Sequence, residues 1–350
     1  MLAEGAALAP IFELRLWRRV VVGYQPDWNR LVLRDLDTFR SRGSLSRLTP
    51  YLNGGVVMTD APEHADRRRE LNPHLHSQAL GEVQPRIVEV VERCAPTGQV
   101  DASEWAAATV RHMLNAAFFG GRFDDRLLRA FVRPLDRPVP HPFLPRPLLF
   151  RRMTAAIEGC LQDPVAGTIA AALESHSGAA EELRVALAAA YDTTAHTLAW
   201  AIWHLAGSPQ WREPALVGNV IDETLRLYPA GWIGSRVANR DVEVGGRRIP
   251  SGTMVFYSPY LTHRDPALWP DPAEFRPQRF SERVPAWGYV PFSAGERTCL
   301  GMHLAKLMLS VALQAFSGGD LRQVGPAPRL AAGLTLRPDG PALVDRTYRS

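Results

Sequence analysis

Residues 291–305 read Pro291-Phe-Ser-Ala-Gly-Glu-Arg-Thr-Cys-Leu-Gly-Met-His-Leu-Ala305. A cysteine ends a glycine-containing loop and immediately begins a helix, predicted from about Leu300 to Phe316. At a helix N-terminus a cysteine meets the positive end of the macrodipole and unpaired N–H groups, which favour its thiolate. Those N–H groups can also hydrogen-bond the sulfur and tune a metal bound to it. Gly295 permits a tight bend, and Gly301 allows the helix to approach a flat ligand closely. Phe292 is placed to pack against such a ligand. A lone cysteine in a glycine loop also fits a plain buried structural residue, so the neighbouring segments have to decide.

Working outward, the 350 residues are 46% apolar and 22% charged, with a formal net charge of +4. That balance suits a globular chain with a sizeable core and argues against wholesale disorder. The positive charge is almost entirely arginine; Lys306 is the single lysine. Three cysteines, Cys94, Cys160 and Cys299, form no Cys-x-x-Cys pair and no disulfide framework, which points to a reducing cytoplasm. Met1–Pro10 has no basic region of a secretory signal. Apolar stretches such as Val185–Tyr191 and Thr197–Trp203 fall short of the ~20 residues of a membrane span. No membrane and no nucleic-acid partner are expected, and the chain reads as a monomer.

Phe12–Leu16 and Arg19–Gly23 read as short strands. Helices are predicted over Ala61–Leu80, Gly81–Cys94 and Ser103–Phe119, the last capped by Asp101 or Ser103. Six prolines make 133–147 a connector, and helical character resumes over Leu148–Leu173. Ala179–Leu205 is apolar on all sides, which predicts a helix at the centre of the molecule. Another helix ends at Pro229. Val242–Ile249 is a hairpin around Gly245-Gly246, with Thr253–Tyr260 expected to pair beside it. The fold class is mainly α with a small β region (α+β), in one domain over 1–350.

The 291–305 segment resembles the haem loop of the cytochrome P450 family, Phe-x-x-Gly-x-x-x-Cys-x-Gly, at Phe292, Gly295, Cys299 and Gly301, with Arg297 where the family commonly has an arginine. Three further segments extend the resemblance. Glu223-Thr-Leu-Arg226, with Arg279 in Phe275-Arg-Pro-Gln-Arg-Phe280, is similar to the family's Glu-x-x-Arg signature and its partner arginine, a structural ion network. Taken alone, such a pair is an ordinary surface pair. Asp192-Thr193 resembles the family's oxygen-activating acid–alcohol pair, although Ala190 stands where glycine is usual. Taken alone, the threonine could simply bond back to its own helix. His64 and Arg68 at i, i+4, together with Arg236 and Arg297, resemble the family's propionate-binding residues.

The resemblance implies a haem between a long central helix and the Cys299 helix, with Cys299 as axial iron ligand and haem b (iron protoporphyrin IX) as cofactor. A thiolate ligand favours O–O cleavage. The implied activity is insertion of one atom of O2 into an apolar small molecule of terpenoid, fatty acid or polyketide type, in secondary-metabolite tailoring. Pocket residues expected by analogy are Ala189, Ala190, Trp232 and Ile233, with the loop Tyr51–Met58. With no Gly-x-Gly-x-x-Gly fingerprint in the sequence, electrons are expected from an external ferredoxin and ferredoxin reductase, docked on a basic face of Arg67, Arg68, Arg69, Arg297 and Lys306. Compared with the family, the N-terminus and the 120–189 region look shortened. Alternatives of different class are a peroxide-driven haem-thiolate oxygenase or isomerase, which need no acid–alcohol pair, and a haem-binding sensor.

Overall fold

A computed structural model describes residues 2–16, 18–317 and 320–347. Its centre is the helix Ala179–Gly207, which packs against Ala102–Phe119, Pro147–Gln162 and Met302–Ser317. The all-round apolar sequence of the central helix explains its position: most of its residues are buried in the largest hydrophobic cluster. Trp200 stacks on Tyr228 with ring centroids 4.0 Å apart, which fixes the central helix against the end of helix Val217–Leu227.

Most expected helices form, with ends set by local chemistry. Glu63–Leu75 and Gln84–Arg93 are separated by a short 3-10 turn. Asp101 is the cap of Ala102–Phe119, accepting from Ser103 N. That helix stops at Gly120, which takes a left-handed φ of 63°. Helical character over 148–173 is interrupted: Pro147–Gln162 ends, and only Ile169–Ala172 resumes. Between 120 and 147 the chain forms the helix Asp125–Val132 and one 3-10 turn.

The β part is small. Ile11–Arg15, Arg19–Gly23, Met254–Tyr257, Gly234–Ala238 and Phe39–Arg40 form a five-stranded sheet in that spatial order. Val242–Val244 and Arg247–Ile249 form the expected hairpin. The strand at 254–257 does not join it: it runs parallel to Arg19–Gly23 and antiparallel to Gly234–Ala238. All four of its residues are buried, so it takes the middle of the larger sheet rather than the edge of an exposed hairpin. Two further small sheets close the C-terminal region. Among the described residues no helix is long and apolar enough to cross a membrane.

Candidate functional site

The Cys299 loop is built by its own backbone. Gly295 has a φ of 64°, and a Cβ there would stand 3.3 Å from the Leu33 carbonyl. Cys299 N donates to Phe292 O at 2.8 Å, closing the loop, and Met302 N donates to Cys299 O at 3.3 Å. The helix begins at Met302, so the cysteine sits in the turn before it rather than on its first residue. His263, fully buried, braces the loop from behind: Val290 N donates to its Nε2 at 2.9 Å.

Cys299 exposes its surface into a cavity. The cavity, of about 420 Å³, is lined by Arg68, Asn72, His76, Cys299, Met302 and His303. Burial pushes the Cys299 thiol up from its ordinary value, while the Gly301 N–H and the Arg68 charge act the other way. The turn before the helix therefore does not by itself make a thiolate; coordination to a metal does that outright. A Cβ on Gly301 would meet no atom within 4 Å, so the space beside it is open.

The four cationic residues converge. His64 is buried, and its pKa falls to about 4, first from burial and then from the neighbouring Arg297, Arg68 and Arg236. Arg297 is pushed down to about 10 by burial and by Arg236. Asp60, which sequence reasoning missed, bonds Arg297 Nη2 at 2.8 Å and caps Ser41 N and Arg42 N. The Nε atoms of Arg236 and Arg297 are buried with no hydrogen-bond partner. Three guanidiniums around one carboxylate leave an uncompensated buried positive charge, which is costly unless an anion answers it. A dianionic group beside Cys299 fits this donor set, and the two propionates of haem are such a group.

On the central helix, Ala186, Ala189, Ala190 and Thr193 stand open or half-open while the residues between them, Leu187, Ala188, Tyr191 and Asp192, are buried. Their spacing of i, i+3, i+4 and i+7 makes one uncovered stripe on the most buried helix of the molecule. Thr193 Oγ1 bonds Ala189 O at 2.7 Å, within its own helix. Asp192 points elsewhere, into a buried polar cluster with Thr335. Desolvation, and then the charge of Asp136, push its pKa up to about 8. Acid and alcohol are thus adjacent in sequence but occupy different surroundings.

Glu223, Arg226 and Arg279 form a closed ion network. Arg226 Nε and Nη2 meet Glu223 at 2.7 and 2.9 Å, and Arg279 Nε meets it at 3.1 Å. Trp232 and Ile233 are half-buried at the entrance to the strand Gly234–Ala238, Trp232 Nε1 bonding Gly333 O at 3.1 Å. Tyr51, at the start of the loop 51–58, is buried against Phe131 and Phe150. The expected basic face is also smaller than its sequence. Arg67 pairs with Glu182 and Glu63, Lys306 with Asp222, and Arg297 is buried, which leaves Arg69 as the most exposed of the five.

Comparison with known proteins agrees with this geometry. The family described as Cytochrome P450 matches residues 213–317. A cyclooctatin synthase of Streptomyces melanosporofaciens is 27% identical over 91% of this chain and 84% of its own length. Mouse cytochrome P450 3A13 is 33% identical over 45% of this chain, a match spanning only 37% of the mouse protein. A crystal structure of a 6-coordinated cytochrome P450 from Thermus thermophilus superposes with a TM-score of 0.83 at 26% identity, covering 99% of this chain and 97% of that one. Fold and relatives together define a haem-dependent oxidoreductase. Residues 213–317 match the cytochrome P450 family and the whole chain has the fold of cytochrome P450s, findings that support a cytochrome P450 monooxygenase.

Proposed function

We propose that this chain, as one domain, inserts one atom of O2 into an apolar small molecule, with haem b held by Cys299 as axial ligand and by His64, Arg68, Arg236 and Arg297 at its propionates. The observation that carries this reading is the buried, uncompensated cationic cluster next to the Cys299 cavity. Bound haem supplies the binding and reduction of dioxygen. The protein supplies the rest. Phe292 and the open space at Gly301 admit a flat group; the stripe Ala189, Ala190 and Thr193, with Trp232 and Ile233, offers an apolar face to substrate; Asp192, protonated at neutral pH, is the acid.

Electrons come from an external ferredoxin and its reductase, whose docking favours Arg69, the most exposed residue of the expected basic face although it pairs with Asp66 at 3.1 Å. The likeness to a protein named cyclooctatin synthase supports a biosynthetic, secondary-metabolite role over a degradative one. Arg236→Ala and Arg297→Ala test the propionate assignment. Each is expected to speed transfer of haem to an apoprotein acceptor by about tenfold or more, the equivalent of one charge-assisted hydrogen bond. Unchanged transfer in both would remove the assignment.

One observation favours a second reading. The Thr193 hydroxyl is engaged with Ala189 O, as it would be in a peroxide-driven enzyme that needs no alcohol for proton delivery. Thr193→Ala separates the two. Loss of product per electron pair consumed supports the monooxygenase; unchanged coupling supports the peroxide-driven enzyme.

A further inference from the structure

Asp192 and His196 are four residues apart on the central helix, and they share a face. That face meets Asp136, from the loop after Asp125–Val132, and Thr335, just before the strand Leu336–Asp339. Thr335 Oγ1 lies 2.6 Å from His196 Nδ1, and its side chain favours the charged form of the Asp192 carboxyl. His196 Nε2 is 3.6 Å from Asp136 Oδ1, and Asp136 Oδ2 accepts from Tyr191 OH at 2.7 Å. Arg337 and Arg111 act on Asp136 through space from the strand and from the helix Ala102–Phe119. Asp192 is 1% exposed, whereas the side chain of Asp136 is 31% exposed. Two oxygens, Asp192 Oδ2 and Asp136 Oδ1, have no hydrogen-bond partner.

We propose that three positioning residues divide the control of Asp192: Asp136 keeps a proton stored on it between turnovers, while His196 and Thr335 hold its carboxyl with the unpartnered Oδ2 ready to give that proton. The proposal rests on the reading of Asp192 as the acid. His196 anchors the Thr335 hydroxyl, and that hydroxyl fixes the Asp192 carboxyl. Asp136 acts by charge. Two carboxyls this close titrate as a coupled pair. Asp136, near the surface, ionises first at about 6, and its charge then holds the proton on Asp192 up to about 8. Between those values the pair keeps one proton, on the buried member. The proton passes from Asp192 to the dioxygen under reduction, the carboxylate left behind takes one back from solvent, and Asp192 itself gains or loses no electron.

The test is a pH-difference infrared titration of the holoenzyme, following the carboxyl band that Asp192→Asn abolishes. Asp136→Asn removes the charge that retains the proton, so the midpoint is expected to fall by about one pH unit, a tenfold change in the ionised fraction. Thr335→Val and His196→Phe remove or free the hydroxyl that stabilises the ionised form, so they are expected to move it upward. Opposite directions are something general disruption of the core does not produce. The alkaline limit of coupling, measured as product per electron pair, is expected to follow the midpoint in each variant. Midpoints that do not move, or that move together, overturn the proposal and leave the role of Asp192 standing. Midpoints that move while coupling ignores them, in Asp192→Asn as well, overturn it by showing that Asp192 is not the acid.

Discussion

Asp192 sits in the interior of an apolar helix with Asp136 facing it, and both conditions disfavour its charge. Its pKa is raised in the folded chain, so between about 4 and about 8 the native state holds a proton that the unfolded state has lost. Stability therefore falls as pH rises through that window, by ~1.4 kcal/mol per unit at most. Asp192→Asn is expected to flatten this slope, so that its urea midpoint drops less than wild type between pH 5 and pH 8. A parallel drop in both proteins would mean that the carboxyl is ionised in the fold. The buried histidines work on the acid side. His196 and His263 are held down to about 3 and His204 to about 4, chiefly by burial. Their unfolded forms protonate first, so stability is lost as pH falls from about 6.5 toward 4. His263 also has to stay neutral to accept from Val290 N. An acid unfolding transition in that window, with loss of the Cys299 loop's order, is the expected outcome in a pH titration followed by circular dichroism.

At the level of elements, Arg226 makes most of the hydrogen bonds that join the Val217–Leu227 helix to the segment 263–279, with Glu223 adding those to Arg276 N and Arg279. Arg226 uses all five N–H donors: Nε and Nη2 on Glu223, Nη1 on the carbonyls of His263 and Pro272, and Nη2 again on that of Glu274. It is completely buried. Arg226→Lys keeps the charge but supplies fewer donors in a different geometry, and is expected to cost ~3–5 kcal/mol in urea unfolding, the range for a broken buried pair. A cost below ~1 kcal/mol would put the pair with ordinary surface bridges. The Glu223–Arg226 pair and the Cys299 loop were legible in the sequence because each falls within a short motif that resembles a family signature, whereas Arg279, 56 residues from Glu223, was reached only through that resemblance. The hairpin at 242–249 was legible from its own turn, Gly245 and Gly246 both adopting positive φ. The partner of the strand at 254–257 was not, since any buried β run matches several neighbours until the sheet forms. Nor was the Asp136–His196–Thr335 cluster, whose members come from three segments, Tyr191 meeting Asp136 across 55 residues and His196 meeting Thr335 across 139.

Across the whole molecule, charged residues that look like a docking face in sequence act largely within the fold. Arg67 bonds Gly54 O and Glu182, and Glu182 accepts from Val56 N, which ties the loop at 53–58 to the first turn of the central helix. Arg67→Ala is expected to speed amide hydrogen exchange at Val56 and its neighbours by about tenfold or more, since about 1–2 kcal/mol of local restraint is lost. Arg69→Glu, at an exposed position, is expected instead to slow reduction by an acidic partner, most strongly at low salt. Equal effects of both on reduction rate would restore the larger basic face.

The central claim is that Cys299 is the ligand that makes this haem protein an oxygenase. The measurement that meets it most directly is the absorption spectrum of the purified, dithionite-reduced protein under carbon monoxide, recorded beside Cys299→Ser. A far red-shifted Soret band that the substitution abolishes is the expected result. A histidine-type haem spectrum in the wild-type protein, or a red-shifted band that survives in Cys299→Ser, would contradict it.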